Sequence, residues 1–535
     1  MLWHLIKKDF LHNLLTTKFI IGFLLCLILI PFSILLNIDE YGDRIRLYQL
    51  DKAKAETELK ETRVYSKLRP EIVKSPEALS IFSKGISTQL GNSVKIFLGE
   101  KPILAEGNYS THDNPLLNYF FSTDFTGIII IVMSLMALIF SYDLCTKEKE
   151  DGTLRLQLSN SLSRATLLAG KVLGVLLTLL PILLFCFLLG ALIILISPRI
   201  ALSGLEWQRL VLLFFASLIL VAFYTMIGLI VSTRRKSSVA SLVICLFIWV
   251  LTVFVIPNTA TFMASSFVKT ESIDNLNAVI SDLEKERSEK IREYRQSLPR
   301  PDWYLSMWAY SGGDAGFENY GCSRSYFEYL RQLAAFTAPT YIDYADKKWP
   351  YQRTYWESLQ HQRRLADWLS WLSPVGLYRA ISNSICYVDA LSQEQFMESI
   401  RQYRETFIQY LRDEHLFNDF RYITPTKPED MMTADQMVYR MTGGEFKTVQ
   451  ALDAWNDKQP DPNAYFTKLR KVHVQGFRPD DYEYLNLDGV PRFPWEKRSL
   501  LTGLHTSIIQ TMVLIMVTLI LFYLAYLAIM RYDVR

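Results

Sequence analysis

The sequence predicts a mainly α protein: a six-helix transmembrane bundle carrying a large, helix-rich extracytoplasmic domain. Three observations lead there. Half of the 535 residues are hydrophobic and 21% are charged, a mixture that suits neither an average soluble protein nor a bare membrane bundle. The apolar residues gather into six runs, each long enough to cross a bilayer, which takes about 17–25 residues. The polar residues gather mainly into two stretches, 39–120 and 257–501.

Residues 1–18 form the first element. Trp3, Ile6, Phe10 and Leu14 recur at helical spacing, with Lys7, Lys8 and Asp9 off that stripe. This is an amphipathic helix lying along the cytoplasmic membrane surface. The apolar run behind it has no small-residue cleavage site and continues past Pro31. It is therefore a span and not a signal peptide.

The spans read as 19–38, 125–141, 172–196, 210–232, 239–256 and 505–530. Pro31 is a kink site in the first, and Pro257 closes the fifth. Residues 39–120 hold a second helix, 45–66, rich in Lys, Glu, Ala and Leu. Arg69-Pro70 and Ser75-Pro76 break the chain after it. Asn108-Tyr109-Ser110 has the form of a glycosylation acceptor and reads as a plain surface loop.

Charge sets the orientation. Lys7, Lys8, Lys18, Lys147, Lys149, Arg155, Arg164, Lys171, Arg234, Arg235, Lys236, Arg531 and Arg535 fall on one side, and the short outer loop has only Arg199 and Arg209. Basic residues in short loops mark the cytoplasmic face, so both termini are expected there.

In the stretch 257–501, Ile273, Leu276, Ile280, Leu283, Ile291, Tyr294 and Leu298 make a seam for a second helix. Further helices are expected at 325–335, 354–370 and 392–415, with a flexible loop at 311–316. Residues 367–378, with Trp368 and Trp371, are either a membrane-grazing segment too short to span or a buried helix of the outer domain. Six cysteines are too few for a disulfide framework. Cys322 and Cys386 fall in the outer domain, where they form either a disulfide or two buried thiols.

Residues 142–171 join the second and third spans on the cytoplasmic face. Asp151-Gly152-Thr153 is a turn or helix-start signal. Leu154, Leu156, Leu158 and Leu162 follow, and Ser163 is placed to cap the next helix. An apolar stripe with charged flanks suits docking into a partner's groove. A loop resting on lipid headgroups is the other reading.

The chain has no phosphate loop: Gly170-Lys171 has Ala165 where the upstream glycine would stand. The seven histidines are not at metal-ligand spacing, and no HExxH, CxxC or GxSxG occurs. Neither a catalytic residue nor a metal site is assigned. A net charge of +3 implies no nucleic-acid partner. The span interiors are nearly free of charge, Gln510 being their most polar residue besides Ser and Thr, which argues against an ion-coupled pump.

The run Glu148-Lys149-Glu150-Asp151-Gly152-Thr153-Leu154, then Ser163-Arg164, Leu167-Leu168 and Gly170-Lys171, resembles the cytoplasmic loop of ABC-2-type permeases. Leu372-Ser373-Pro374, Tyr403-Arg404, Pro491-Arg492-Phe493-Pro494-Trp495 and Arg531-Tyr532-Asp533 resemble a bacterial subgroup of that family with a large extracytoplasmic insertion between spans five and six. The resemblance implies a permease subunit of an ATP-driven exporter in the bacterial inner membrane. It implies that Glu148, Glu150, Asp151, Gly152, Thr153, Leu154, Arg155 and Arg164 form a coupling interface with a separate nucleotide-binding ATPase, which the N-terminal helix also contacts. ATP and Mg would reside on that partner, with no cofactor in this chain. A second permease subunit, forming a homodimer, membrane lipid and an extracytoplasmic partner complete the expected set. Gly22, Gly127, Gly174, Gly190 and Gly228 serve close helix packing in such a dimer or local helix flexibility. Rival readings are a mechanotransmitter without transport, a membrane-anchored enzyme and a plain receptor or scaffold. Residues 39–120 and the long connection before the last span depart from smaller family members, so no cargo is carried over.

Overall fold

The computed structural model describes residues 2–86, 90–103, 124–154, 163–299, 306–312, 316–462, 464–465, 482–495 and 500–531. A short helix, α1 (Leu2–Leu14), leads into α2 (Thr17–Lys60). α3 consists of Phe125–Ile128 and Ser134–Ser141, joined by a π-helical turn at Ile129–Met133. α4 (Thr146–Glu150) lies in the connection, followed by α5 (Arg164–Ile196) and α6 (Gly204–Arg234). α7 consists of Ser238–Val250, a second π-helical turn at Leu251–Val255, and Ile256–Phe267. Then come α8 (Ile273–Ser297), α9 (Arg324–Ser370), α10 (Pro374–Cys386), α11 (Ala390–Asp413), α12 (Ala434–Met441), α13 (Val449–Asn456) and α14 (Leu500–Met530). Among the described residues, six helices are long and apolar enough to cross a membrane: α2, α3 with α4, α5, α6, α7 and α14. The mainly α bundle is as the sequence predicts.

Two antiparallel hairpins are the strands of the described residues. β1 (Glu71–Val73) pairs with β2 (Ser93–Lys95), Ile72 opposite Val94. β3 (Ser306–Gly312) pairs with β4 (Gly316–Cys322). Of the flexible loop expected at 311–316, Ser311, Gly312 and Gly316 belong to these strands, which corrects the expectation there, and 313–315 lie outside the described residues. Both arms of this hairpin carry the aromatic residues that favour strands, and Gly312 pairs with Gly316 at their ends.

The apolar side chains form two main cores. One lies inside the bundle, where Ile34 of α2, Phe125 of α3, Leu179 of α5 and Leu220 of α6 meet. The other lies in a domain on the face opposite the α3–α5 connection. It joins Ile72 and Val94 to Phe327, Leu333, Met397, Phe407 and Tyr422. The two polar stretches therefore build one body. Arg404 is fully buried within it; its Nε donates to Phe97 O at 3.0 Å, and Nη2 donates to Leu98 O. Lys74 Nζ donates to Gln393 Oε1 at 3.0 Å, and Lys101 lies 2.7 Å from Asp346.

Several helices run further than the sequence predicts. The first span and the expected helix at 45–66 are one continuous α2 of 44 residues, about 66 Å long at 1.5 Å per residue. The charged residues at 39–46 turn outward and find partners, such as Glu40 on Lys84 at 2.5 Å and Arg44 on Ser80 at 3.0 Å. α9 runs through both Pro339 and Pro350, which merges the helices expected at 325–335 and 354–370. An interior proline costs about 3 kcal/mol. Thr337, Ala338, Thr340 and Ile342 are buried around Pro339, so packing offsets that cost. α7 continues past Pro257, which does not close it. Proline lacks the N–H for the helical ladder, and the wider π turn just before it accommodates the ring. The Thr252 carbonyl in that turn accepts a hydrogen bond from Ser373 Oγ instead.

The seam on α8 is observed. Leu276 and Ile291 are buried, and the Tyr294 ring stacks on Phe336 of α9 at 3.9 Å. The stretch 367–378 divides in two. Trp368 and Leu372 are 68% and 75% exposed, while Val375, Leu377 and Tyr378 enter the bundle core. Cys322 and Cys386 are buried in two different cores and are not bonded to each other, the alternative to a bridge. Gly174 and Gly228 serve packing inside the chain. A Cβ on Gly174 would come within 2.9 Å of Asp9 Cβ, and one on Gly228 within 2.7 Å of Ser141 Cβ. Asn108, Tyr109, Ser110, Arg155, Leu156, Leu158, Leu162, Tyr532, Asp533, Arg535 and the His505 side chain lie outside the described residues.

Candidate coupling site

A helix ends with backbone groups that its own ladder cannot satisfy. The connection between α3 and α5 supplies partners for those groups on its neighbours. Ser232 Oγ, at the end of α6, accepts from Cys145 N at 2.8 Å and Thr146 N at 3.1 Å, which caps α4 from another helix. In return Lys149 Nζ donates to the carbonyls of Ser232 (3.2 Å), Thr233 and Arg235 (3.0 Å). A cation at a helix C-terminus also meets the favourable end of the helix dipole. Glu150 does the reverse at the start of α7, accepting from Ser238 N at 2.8 Å and Ser238 Oγ at 2.6 Å. Arg164 Nη1 donates to the last carbonyls of α14, Ile529 O at 2.8 Å and Met530 O at 2.6 Å.

Two further ties reach α1, α2 and α5. Lys18 Nζ lies 3.1 Å from Asp143 Oδ2 and sits over the Tyr142 ring at 4.6 Å. Lys171 is only 3% exposed and pairs with Glu148 at 2.5 Å. Asp9 of α1 faces the same pair, and its Oδ2 is buried without a hydrogen bond. Burial pushes the Asp9 carboxyl above the usual carboxylate range, against the pull of Lys171. Ser163 caps α5 as the sequence predicts, accepting from Thr166 N at 3.0 Å.

The tip of the connection is left open. Asp151, Gly152 and Thr153 are exposed, while Leu154 is buried at 1% exposure. Gly152 has φ +71°, and nothing lies within 4 Å of where its Cβ would be. That left-handed turn is open to glycine and strained for most other residues. Trp3, at the start of α1, is 66% exposed, and Ile6 on the same helix is buried against α5.

A family model described as ABC-2 family transporter protein matches residues 3–534. The chain belongs to that ABC-2 family. No curated protein matches it. As a family member it is the membrane component of an ABC transporter, a class of subunit that works with an ABC ATPase and is not itself catalytic.

Of the positions that the sequence points to in this permease, Glu148, Glu150, Leu154 and Arg164 are occupied inside the chain, and Asp151, Gly152 and Thr153 form the exposed tip. Arg155 lies outside the described residues. Sequence reasoning missed the residues that answer the charges: Asp9, Ser232 and Ser238, with Lys149 and Lys171 read as topology signals and as parts of the loop motif but not as anchors. Among the described residues, no group of three His, Cys, Asp or Glu side chains is placed to hold a metal ion.

Proposed function

We propose that this permease receives the force of ATP hydrolysis through residues 142–171, from a nucleotide-binding subunit that docks on the exposed Asp151–Gly152–Thr153 turn and on α1. The observation that carries the reading is the anchoring behind that turn. Charged side chains of the connection bond the ends of α6, α7 and α14 and pair with α5. Through these bonds a push on the tip is passed to the ends of the spans. ATP and Mg belong to the ATPase, the loop face and both termini to the cytoplasm, and the domain to the outside of a bacterial inner membrane. Two such subunits pair, most simply as a homodimer, and cargo moves outward.

The test is co-purification with an ABC ATPase, followed by ATPase and cargo-movement assays. Gly152→Val, which strains the turn without meeting any neighbour, is expected to lower cargo-dependent ATPase activity by roughly tenfold or more. Its unfolding temperature should stay close to wild type. Wild-type coupling in this variant would remove the proposal.

A second reading keeps the motor and drops transport. It is supported by α2, which runs unbroken from the loop end of the bundle into the domain. Such a rod suits a mechanotransmitter acting on an outer partner. Vesicles that hydrolyse ATP with the partner present, yet accumulate no cargo, would favour it.

A further inference from the structure

Between the domain and the bundle lies a cavity of about 190 Å3. Arg363, Asp367 and Trp371 line it from the end of α9, Arg379 from α10, Asp389 from the α10–α11 junction, and Gln510 from α14. Arg363 Nη2 is 3.3 Å from Asp367 Oδ2. Asp389 Oδ1 caps α11, accepting from Ser392 N at 3.2 Å. Gln510 Oε1 is buried and accepts no hydrogen bond. A buried carbonyl left in that state is a net cost, and polar groups within spans face partners or cavities.

The cavity thus offers both signs. Arg363 and Arg379 each already have a protein partner, but a guanidinium carries five N–H donors, and those left over suit phosphate or carboxylate. Asp367, Asp389 and the Gln510 carbonyl present acceptors suited to a primary ammonium. A simple anion or a simple cation would use half of this set; a zwitterion uses all of it. Pockets for drug-sized ligands run to about 300–1,000 Å3, so this cavity suits a smaller group such as an ethanolamine phosphate and not a whole lipid or peptide.

The surroundings decide what carries the zwitterion. Trp371 stacks on Trp368 at 6.1 Å, and Trp368, Leu372 and Leu391 are exposed beside it. This apolar, aromatic surface lies where the spans meet the polar domain, and tryptophans favour the headgroup level of a bilayer. We propose that the cavity binds the headgroup of a phospholipid bearing a phosphate and a primary ammonium, as in phosphatidylethanolamine. The acyl chains leave past Trp368 and Leu372 into the bilayer. The assignment is independent of any ATPase partner.

The experiment uses the full chain in detergent, with binding read by native mass spectrometry and thermal unfolding. The probes are dioctanoyl phosphatidylethanolamine, phosphatidylcholine and phosphatidylglycerol, and phosphoethanolamine without chains. The first should bind one to one. The choline lipid, which has no N–H donors, and the glycerol lipid, which has no ammonium, should bind roughly tenfold more weakly. Gln510→Leu and Arg363→Gln should each weaken ethanolamine-lipid binding by roughly tenfold. Gln510→Leu removes a partnerless carbonyl, so it should unfold no earlier than wild type, which separates lost binding from lost folding. Equal binding of the three lipids, or full binding by Gln510→Leu, would overturn the site. Binding of phosphoethanolamine as tight as that of its lipid would overturn the lipid assignment in favour of a soluble zwitterion.

Discussion

At the end of the bundle that carries α1 and α4, charged side chains do the joining. Lys149, Glu150 and Arg164 each bond the terminus of a neighbouring helix, and Lys171 lies in a buried pair with Glu148. At the opposite end α2 continues into the domain, and rings and hydroxyls hold the junction beside ion pairs such as that of Glu40 with Lys84. Phe82 packs edge-on against Phe125 at 5.1 Å, Tyr378 Oη lies 2.8 Å from Ser217 Oγ, and Ser373 Oγ donates to Thr252 O. Helices that stop need partners for their exposed backbone groups; α2, which runs on into the domain, has no end to satisfy there. The loop end behaves as one welded piece, while the domain end is a set of packed rods.

The largest effect should come from breaking the weld. Lys171→Met leaves Glu148 without its buried partner, and losing one member of a buried ion pair costs about 3–5 kcal/mol. Thermal unfolding in detergent should show a clear drop, which a Glu148→Leu second change should largely restore. An unchanged midpoint for Lys171→Met would mean that packing alone holds this end. At the domain end, Ser373→Ala removes one hydrogen bond to the π-turn carbonyl and should cost about 1 kcal/mol, read in the same assay. If that change proves the larger of the two, the comparison is inverted.

The smallest effect concerns Asp9. Its carboxyl is raised in the folded state by burial, so the fold favours the protonated form. Its contribution to stability is greatest below the unfolded value of about 3.9. It is lost as pH rises through the folded value. Asp9→Asn should therefore flatten the acid-to-neutral stability profile and gain slightly at neutral pH. A profile parallel to wild type would show that Lys171 already balances the burial.

The spans were legible because an apolar run of bilayer length has few other uses. Their continuations were not. Pro339, Pro350 and Pro257 are local breakers, and at Pro339 what overrides the break is burial of its neighbours against distant residues. The same holds for the site. Glu148, Glu150 and Arg164 stand out in the sequence, but the groups that answer them lie 23, 88 and 365 positions away. No local pattern reaches across such separations. Ser163 was legible because a cap acts on its own turn.

The unbroken α2 also acts as a gauge. Each residue turns an α-helix by about 100° and lifts it by about 1.5 Å. On this helix Ile34 faces the bundle core, and Glu58 meets Lys95 of the domain at 2.8 Å. One added residue between them would swing Glu58 about a quarter turn away from Lys95. Seven would nearly restore the angle but raise Glu58 by about 10 Å. The height and heading of the domain above the spans are thus written into the residue count of one helix.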